Sequence, residues 1–389
     1  MIRLLFAILA WLAATLPAAS FETQATAAYV IDQGTGTVLL SQNADTPLPP
    51  ASMSKLMTLY MAFEALERGK NNGGLSMDEE LRVSEHAMSY GGSTLFLRAG
   101  ERVKVEDLIR GIIVLSGNDA CVVIAETLSP DGTEAGFAKL MTQRAAQLGM
   151  THSTFTNSNG WPSEGHRMSM RDLGLISHRL ISDFPQYYPM FAETEFLFDP
   201  QESQNRFNRN PLLGLGIGAD GLKTGRTREA GFGLAGSAKQ GDRRVIFVIS
   251  GLQSAAARAR EAEAIVNWAF RQFSETTVGT AGTQLASAPV ALGAQDSVGL
   301  ALAEDLTVLT PSIGEARLQA EIVYRGPITA PLAKGAHIAD LHIARDSLPD
   351  VTVPLIAAST VEKGGFFVRV SAAAHHLMAR LGVRTSDAS

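Results

Sequence analysis

The chain has 389 residues, more than one compact core usually holds, so two domains are expected. Hydrophobic residues at 46% and charged residues at 19% exclude wholesale disorder, and a formal net charge of −6 gives no support for nucleic-acid binding. A single cysteine, Cys121, rules out any disulfide within the chain. Neither a Cys/His cluster with metal-ligand spacing nor a glycine-rich phosphate loop is visible, so no cofactor is expected.

The first twenty residues read as an export signal. Arg3 supplies a short positive region, residues 4–16 an apolar core too short to span a bilayer comfortably, and Ala18-Ala19-Ser20 small residues for cleavage. An uncleaved anchor is the alternative; either way the rest of the chain is expected outside the cytoplasm. From residue 21, Ala28–Asp32 and Thr37–Leu40 are strand-like runs around Gln33-Gly34-Thr35-Gly36, a hairpin signal. Apolar periodicity predicts helices over 52–68, 105–115, 117–128, 134–148 and 169–182, strands over 231–238 and 244–251, and an amphipathic helix over 259–273. Cys121 is read as a buried residue of the 117–128 helix. Strands at both sequence ends with helices between them predict an α+β domain over 21–277, an antiparallel sheet flanked by helices.

A looser stretch rich in Thr, Gly, Ala and Ser, 278–290, reads as a linker. Residues 291–363 then alternate short apolar runs, such as Leu306–Leu309, Leu318–Tyr324 and Val351–Leu355, with Gly, Pro and Asp turns, the pattern of a small all-β domain. In the tail, 364–385, Phe366, Val370, Ala373, Ala374, Leu377 and Leu381 repeat at helical spacing opposite Arg369, His376 and Arg380. An amphipathic helix of this kind lies in a membrane interface or packs on the β domain.

Three short motifs stand in order across the first domain: Ser52-Met53-Ser54-Lys55, Ser116-Gly117-Asn118 and Lys223-Thr224-Gly225. Ser52 and Lys55, at i and i+3, project from one helix face. A serine hydroxyl needs a base to become a nucleophile, and lysine serves only when neutral. Moving its pKa from roughly 10.4 toward 7 takes about 4 to 5 kcal/mol, which burial and a nearby cation such as Lys223 would supply. Ser116 and Asn118 would relay a proton and hold an amide. Lys223 and Thr224 offer a cation and a hydroxyl to a carboxylate, and Gly225 permits close approach of another chain. Each motif has a plainer reading by itself: an N-cap with a solvated lysine, a turn, a strand end. Ser41-Gln42-Asn43 and Ser203-Gln204-Asn205 show how readily the middle pattern arises. The ordered set is what points to acyl transfer.

The motifs and their surroundings resemble the low-molecular-mass penicillin-binding proteins of the D-alanyl-D-alanine carboxypeptidase type. The resemblance covers residues 49–62, Leu108–Gly111 leading to Ser116–Cys121, Asp220–Thr227 followed by Ala230-Gly231, and Arg260-Glu261-Ala262-Glu263. It implies a β-lactamase/transpeptidase-like fold with a β-rich domain behind it, and a tail helix that holds the enzyme on the outer face of the cytoplasmic membrane. It implies a peptidoglycan stem peptide as substrate and β-lactams as inhibitors. By the same resemblance Ser52, Lys55 and Ser116 are catalytic, and Asn118, Lys223, Thr224, Gly225, Arg226 and Arg260 bind substrate. The backbone N–H groups of Ser52 and Arg226 would form the oxyanion hole. A β-lactamase is the nearest rival, but no Glu-x-x-Leu-Asn string lies between Asn118 and Lys223, and Glu164 stands in a different context. A D,D-endopeptidase fits the same three motifs. A non-catalytic wall-binding scaffold would keep the fold, but intact Ser52, Lys55 and Lys223 argue against it.

Overall fold

The computed structural model describes residues 21–312, 318–345 and 348–366. The described residues divide into two compact units, one formed by Glu22–Glu275 with Thr307–Leu309, the other by Thr276–Leu306 and the described residues from Thr310 onward.

The first unit is built on a five-stranded sheet. The hairpin expected near the start is present as β1 (Ala27–Asp32) and β2 (Val38–Gln42). Late in the unit come β5 (Ala219–Thr227), β6 (Gly231–Gln240) and β7 (Arg243–Leu252), after a small ribbon of β3 (Glu80–Arg82) and β4 (Arg102–Lys104). The order is β2-β1-β7-β6-β5, antiparallel throughout, so β5 forms one edge. Val245–Ile249 is buried without interruption, which requires cover on both faces of β7. That cover comes from α6 (Met170–Asp183), packed on β1 and β7, and α7 (Ala255–Gln272), packed on β6 and β7.

The other helices are the short α2 (Glu85–Met88), α3 (Val105–Arg110), α4 (Asn118–Leu128) and α5 (Glu134–Gln147), with α1 (Lys55–Arg68) at their centre. Helix α1 packs on α4, α5 and α6 and buries nearly every side of its first three turns, as a helix apolar all round must. Two predicted helices are not uniform. The 52–68 helix opens with a 3₁₀ turn, Ala51–Ser54, and the 105–115 helix widens into a π-helical turn at Gly111–Leu115. Gly111 lies so close against Leu95 that any side chain would collide with it. The 259–273 helix begins earlier, at Ala255, because the Ser254 hydroxyl accepts from the Ala257 N–H and caps it there.

The second unit carries the expected all-β domain. Its strands are β9 (Gln284–Ala291), β10 (Ser297–Leu302), β12 (Leu318–Val323), β13 (Ile328–Thr329), β14 (His337–Arg345) and β15 (Leu348–Ala357), in the order β12-β14-β15-β10-β9-β13. Alternate residues of β14, from Ala339 to Arg345, are buried, the period-two signature of a one-sided sheet. Val290, Val298, Ala330, Ala357 and Val361 form a small core. Two further strands, β8 (Phe273–Gly279) and β11 (Leu306–Pro311), pair as a ribbon.

The stretch 278–290 is not a linker along its length: from Gln284 it is β9, paired with β10 and β13. Its buried positions are Ala288 and Val290, flanking Pro289, so the alternation is too weak to see without the partner strands. The expected export signal, residues 1–20, lies outside the described residues, as does the expected tail helix from residue 367 onward. Among the described residues no helix is long and apolar enough to cross a membrane.

Candidate active site

Ser52 sits in the 3₁₀ turn Ala51–Ser54 and is partly exposed between buried neighbours. Ala51 holds a left-handed backbone (φ 49°), a conformation that costs a non-glycine residue about 1 kcal/mol or more. The turn is held from two sides. Gly160 (φ 79°) presses against the Ala51 carbonyl where any side chain would collide. Behind it, buried Ser54 meets His166, with Oγ 2.7 Å from Nε2. Burial, with repulsion from Lys55 and Arg167, pushes the imidazole down to about 4, so it is neutral at pH 7. Its Nδ1 accepts from the Thr156 N–H at 3.2 Å, which leaves the proton on Nε2 to donate to Ser54. Neither Ser52 nor Ser54 caps the helix through its side chain, so the plain N-cap reading of this motif fails.

Lys55 is fully buried. Its Nζ lies 2.9 Å from Ser52 Oγ, 2.8 Å from Asn118 Oδ1 and 2.5 Å from the Asn159 carbonyl oxygen. Burial lowers the amine to about 8; Arg209 adds repulsion, while Asp119 and Glu134 pull the other way. Cys121, buried nearby in α4, has its thiol pushed up to about 12 and stays neutral. The neutral amine has two N–H groups and one lone pair. Two neighbours, the Asn118 and Asn159 carbonyl oxygens, can only accept, so they take the two N–H groups and the lone pair faces the Ser52 hydroxyl. That is the geometry of a base on a nucleophile.

The second motif occupies the sharp passage from the π-helical turn into α4. Ser116 is buried and left-handed (φ 64°, ψ 35°), and π-helical turns recur at functional sites. Asn118 opens α4; its Nδ2 donates to the Gly91 carbonyl at 2.8 Å and its backbone N–H to the Ser93 carbonyl at 2.7 Å. Next to it, the Asp119 carboxylate accepts from the Leu95 and Leu97 N–H groups, which fastens the 93–97 segment to the helix start.

Lys223, Thr224 and Gly225 lie buried on the edge strand β5. A Cβ on Gly225 would stand 3.0 Å from the Pro50 oxygen and 3.2 Å from Ala51 Cβ, so the missing side chain lets β5 rest against the nucleophile turn. Lys223 Nζ donates to the Thr224 carbonyl at 3.3 Å. It is held well below the usual lysine value, by burial first and then by repulsion from Lys55, Arg209 and Arg258. Sequence reasoning makes Lys223 a cause of the depressed Lys55; in the structure the two amines repel, and burial dominates both. Arg226 is exposed, with its guanidinium 4.9 Å from the Phe232 ring centroid.

Arg260 does not join this cluster. It is exposed on α7, whereas Arg258, two residues earlier, is buried and donates to the Arg209 carbonyl at 3.1 Å. Two residues are about 200° around a helix, so only one of them shares the face of Ala262, Ile265, Val266 and Ala269. Burial holds the guanidiniums of Arg258 and Arg209 below their ordinary values, and Arg209 donates to Ser93 Oγ at 2.5 Å. Lys223, Arg209 and Arg258 thus form a basic cluster, while the nearby carboxylate of Asp119 is engaged by backbone N–H groups. Such a group is built to receive an anion.

Sequence reasoning missed Arg209, Arg258, His166 and the loop Asn157–Trp161. The Asn-Ser-Asn-Gly run is a legible turn signal. That its Asn159 carbonyl reaches Lys55, 104 positions away, is not.

A family model described as D-alanyl-D-alanine carboxypeptidase matches residues 13–254, and one described as the penicillin-binding protein 5 C-terminal domain matches 273–363. The chain is 33% identical over 347 residues to D-alanyl-D-alanine carboxypeptidase DacF of Bacillus subtilis, covering 88% of this chain and 87% of that one. It is 35% identical over 349 residues to D-alanyl-D-alanine carboxypeptidase DacC of Escherichia coli, covering 88% and 85%. Among solved structures, penicillin-binding protein 5 of Haemophilus influenzae superposes with a TM-score of 0.76 at 30% identity, covering 88% of this chain and 99% of that one.

Proposed function

The chain belongs to the D-alanyl-D-alanine carboxypeptidase family, and on that premise we propose that Ser52 is the nucleophile and Lys55 the base of a serine-type carboxypeptidase that removes the terminal D-alanine from peptidoglycan stem pentapeptides. The observation that carries the reading is the buried Lys55 amine, 2.9 Å from Ser52 Oγ, with its two N–H groups claimed by Asn118 and Asn159.

The stem peptide adds along the open edge of β5, where main-chain hydrogen bonds align it. Its terminal carboxylate meets Thr224 and Lys223, with Arg209 and Arg258 in the role that the resemblance suggests for Arg260. Neutral Lys55 takes the Ser52 proton as Oγ attacks the penultimate D-Ala carbonyl. The oxyanion is received by the N–H groups of Ser52 and Arg226, donors typically worth about 3 to 4 kcal/mol each. The intermediate collapses, the C–N bond breaks, and the departing D-alanine amine takes back a proton from Lys55 by way of Ser116. Asn118 holds the peptide amide. Water, deprotonated by Lys55 in its turn, then hydrolyses the ester. β-Lactams enter the same cycle and stop at the acyl-enzyme, in keeping with the penicillin binding for which the Haemophilus relative is named. Export through residues 1–20 and interfacial anchoring through 364–385 complete the reading; both rest on sequence pattern.

Mass spectrometry of the mature protein with benzylpenicillin, and separately with a pentapeptide ending in D-Ala-D-Ala, tests this. A penicilloyl adduct on Ser52 with release of one D-Ala per peptide is expected, and Ser52→Ala should lose both. Labelling that survives Ser52→Ala would place the nucleophile elsewhere.

A further inference from the structure

Two carbonyl oxygens aim the Lys55 lone pair, and they come from segments far apart in the chain: Asn118 Oδ1 and the Asn159 main chain. Both are held by segments that converge on one carboxylate. Glu134, the first residue of α5, is buried and lies in the wall of a cavity of about 540 Å³ with His86, Tyr90, Thr133, Asn157 and Trp161. Its Oε1 accepts from the Ser158 N–H at 2.9 Å, the Ser158 hydroxyl at 2.6 Å and Asn159 Nδ2 at 3.3 Å. Its Oε2 accepts from the Tyr90 hydroxyl at 2.7 Å and faces His86 Nε2 at 3.0 Å.

One oxygen therefore grips the Asn157–Trp161 loop at the residue whose carbonyl reaches Lys55. Within that loop the Trp161 N–H donates to Asn159 Oδ1 at 2.9 Å, so the Asn159 side chain is held at both ends. The other oxygen grips the segment 86–93. That segment supplies the Gly91 carbonyl that fixes the Asn118 carboxamide and the Ser93 carbonyl that fixes its backbone. The Ser158 N–H and Asn159 Nδ2 can only donate, and the Ser158 and Tyr90 hydroxyls donate as well, so the two carboxyl oxygens serve as acceptors on both sides.

We propose that Glu134 is a positioning residue for the reaction: it ties together the two segments that hold the Asn118 and Asn159 oxygens, and so aims the Lys55 lone pair at Ser52. The proposal rests on the acyl-transfer reading above and adds to it a residue remote from substrate.

The test compares the parent enzyme with Glu134→Gln in D-Ala release and in the rate of acylation by benzylpenicillin, both across pH. The carboxamide keeps the shape but turns an N–H₂ donor toward donors. We expect kcat and the acylation rate to fall about 10²-fold with KM within about threefold, as for a catalytic group displaced by about 1 Å. The acid limb of the pH profile should also move to lower pH, because the Glu134 charge raises Lys55. A merely destabilised protein would keep the parent's midpoint. A folded Glu134→Gln enzyme with the parent's kcat and pH profile would overturn the proposal. Should that variant fail to fold, Tyr90→Phe and Ser158→Ala each remove one donor: slowed acylation at unchanged KM supports the assignment, and parental rates in both overturn it. A parent protein that neither forms a penicilloyl adduct nor releases D-Ala would bring down the functional reading itself, and this inference with it.

Discussion

Around Lys55 the neutral amine finds a partner for each of its two N–H groups and for its lone pair. Of the three atoms within hydrogen-bond reach of Nζ, two can only accept, and the third is the hydroxyl it must deprotonate. Burial supplies the rest by making the charged form expensive, which brings the amine down to about 8. The sign of the pH effect follows. Only neutral Lys55 accepts the Ser52 proton, so acylation should rise tenfold per pH unit below 7 and level off above 8, with about one tenth of the sites competent at pH 7. Following penicilloyl-adduct formation from pH 5.5 to 9.5 checks this. A profile flat from 6 to 9, or one still rising at 10, removes Lys55 as the base. His166 makes no contribution to this limb, since it is already neutral above about 4.

At the scale of elements, helix α7 shows how a motif match and a face can disagree. Arg260 stands in the stretch that resembles relatives, yet the turn of the helix sends Arg258 inward and Arg260 out. Charged hydrogen bonds are worth about 1.5 to 3 kcal/mol, so Arg258→Ala should lower kcat/KM for the pentapeptide between tenfold and about a hundredfold. Arg260→Ala should stay within about twofold of the parent. Steady-state kinetics on both variants decides: equal losses, or a loss at Arg260 alone, defeats the assignment. The strand β5 makes the complementary point. Its edge position follows from pairing with β6 alone, its burial comes from the turns Ala51–Ser54 and Tyr188–Ala192 packed on it, and Gly225 fits because the nucleophile turn occupies the space a side chain would need.

For the whole molecule, the three motifs all lie within the unit Glu22–Glu275, and the all-β unit carries none of them. Under the proposed reading, attachment to the membrane belongs to the tail, on sequence pattern. Deleting the residues after Gly364 should move the protein from the membrane fraction to the soluble one while penicillin labelling proceeds at the parental rate. A truncated protein that stays wholly with the membrane defeats the anchor.

What the amino-acid sequence determined by itself was whatever local chemistry or periodicity encodes. The nucleophile helix, the β1–β2 hairpin, the sheet flanked by helices and the order of the three motifs were all legible, because each is written in residues a few positions apart. Weakly patterned β9 was not, since its small residues become a strand only beside β10. The tertiary structure alone decided which groups meet. It set a serine and a lysine at helical spacing 2.9 Å apart and gave the amine two acceptors, bringing Asn118 from 63 positions away and Asn159 from 104. It chose Arg258 over Arg260, and it buried Lys55, whose neutral form exists because water is excluded around it. Desolvation and long-range hydrogen bonds depend on what the rest of the chain packs against a residue, and no local pattern records that.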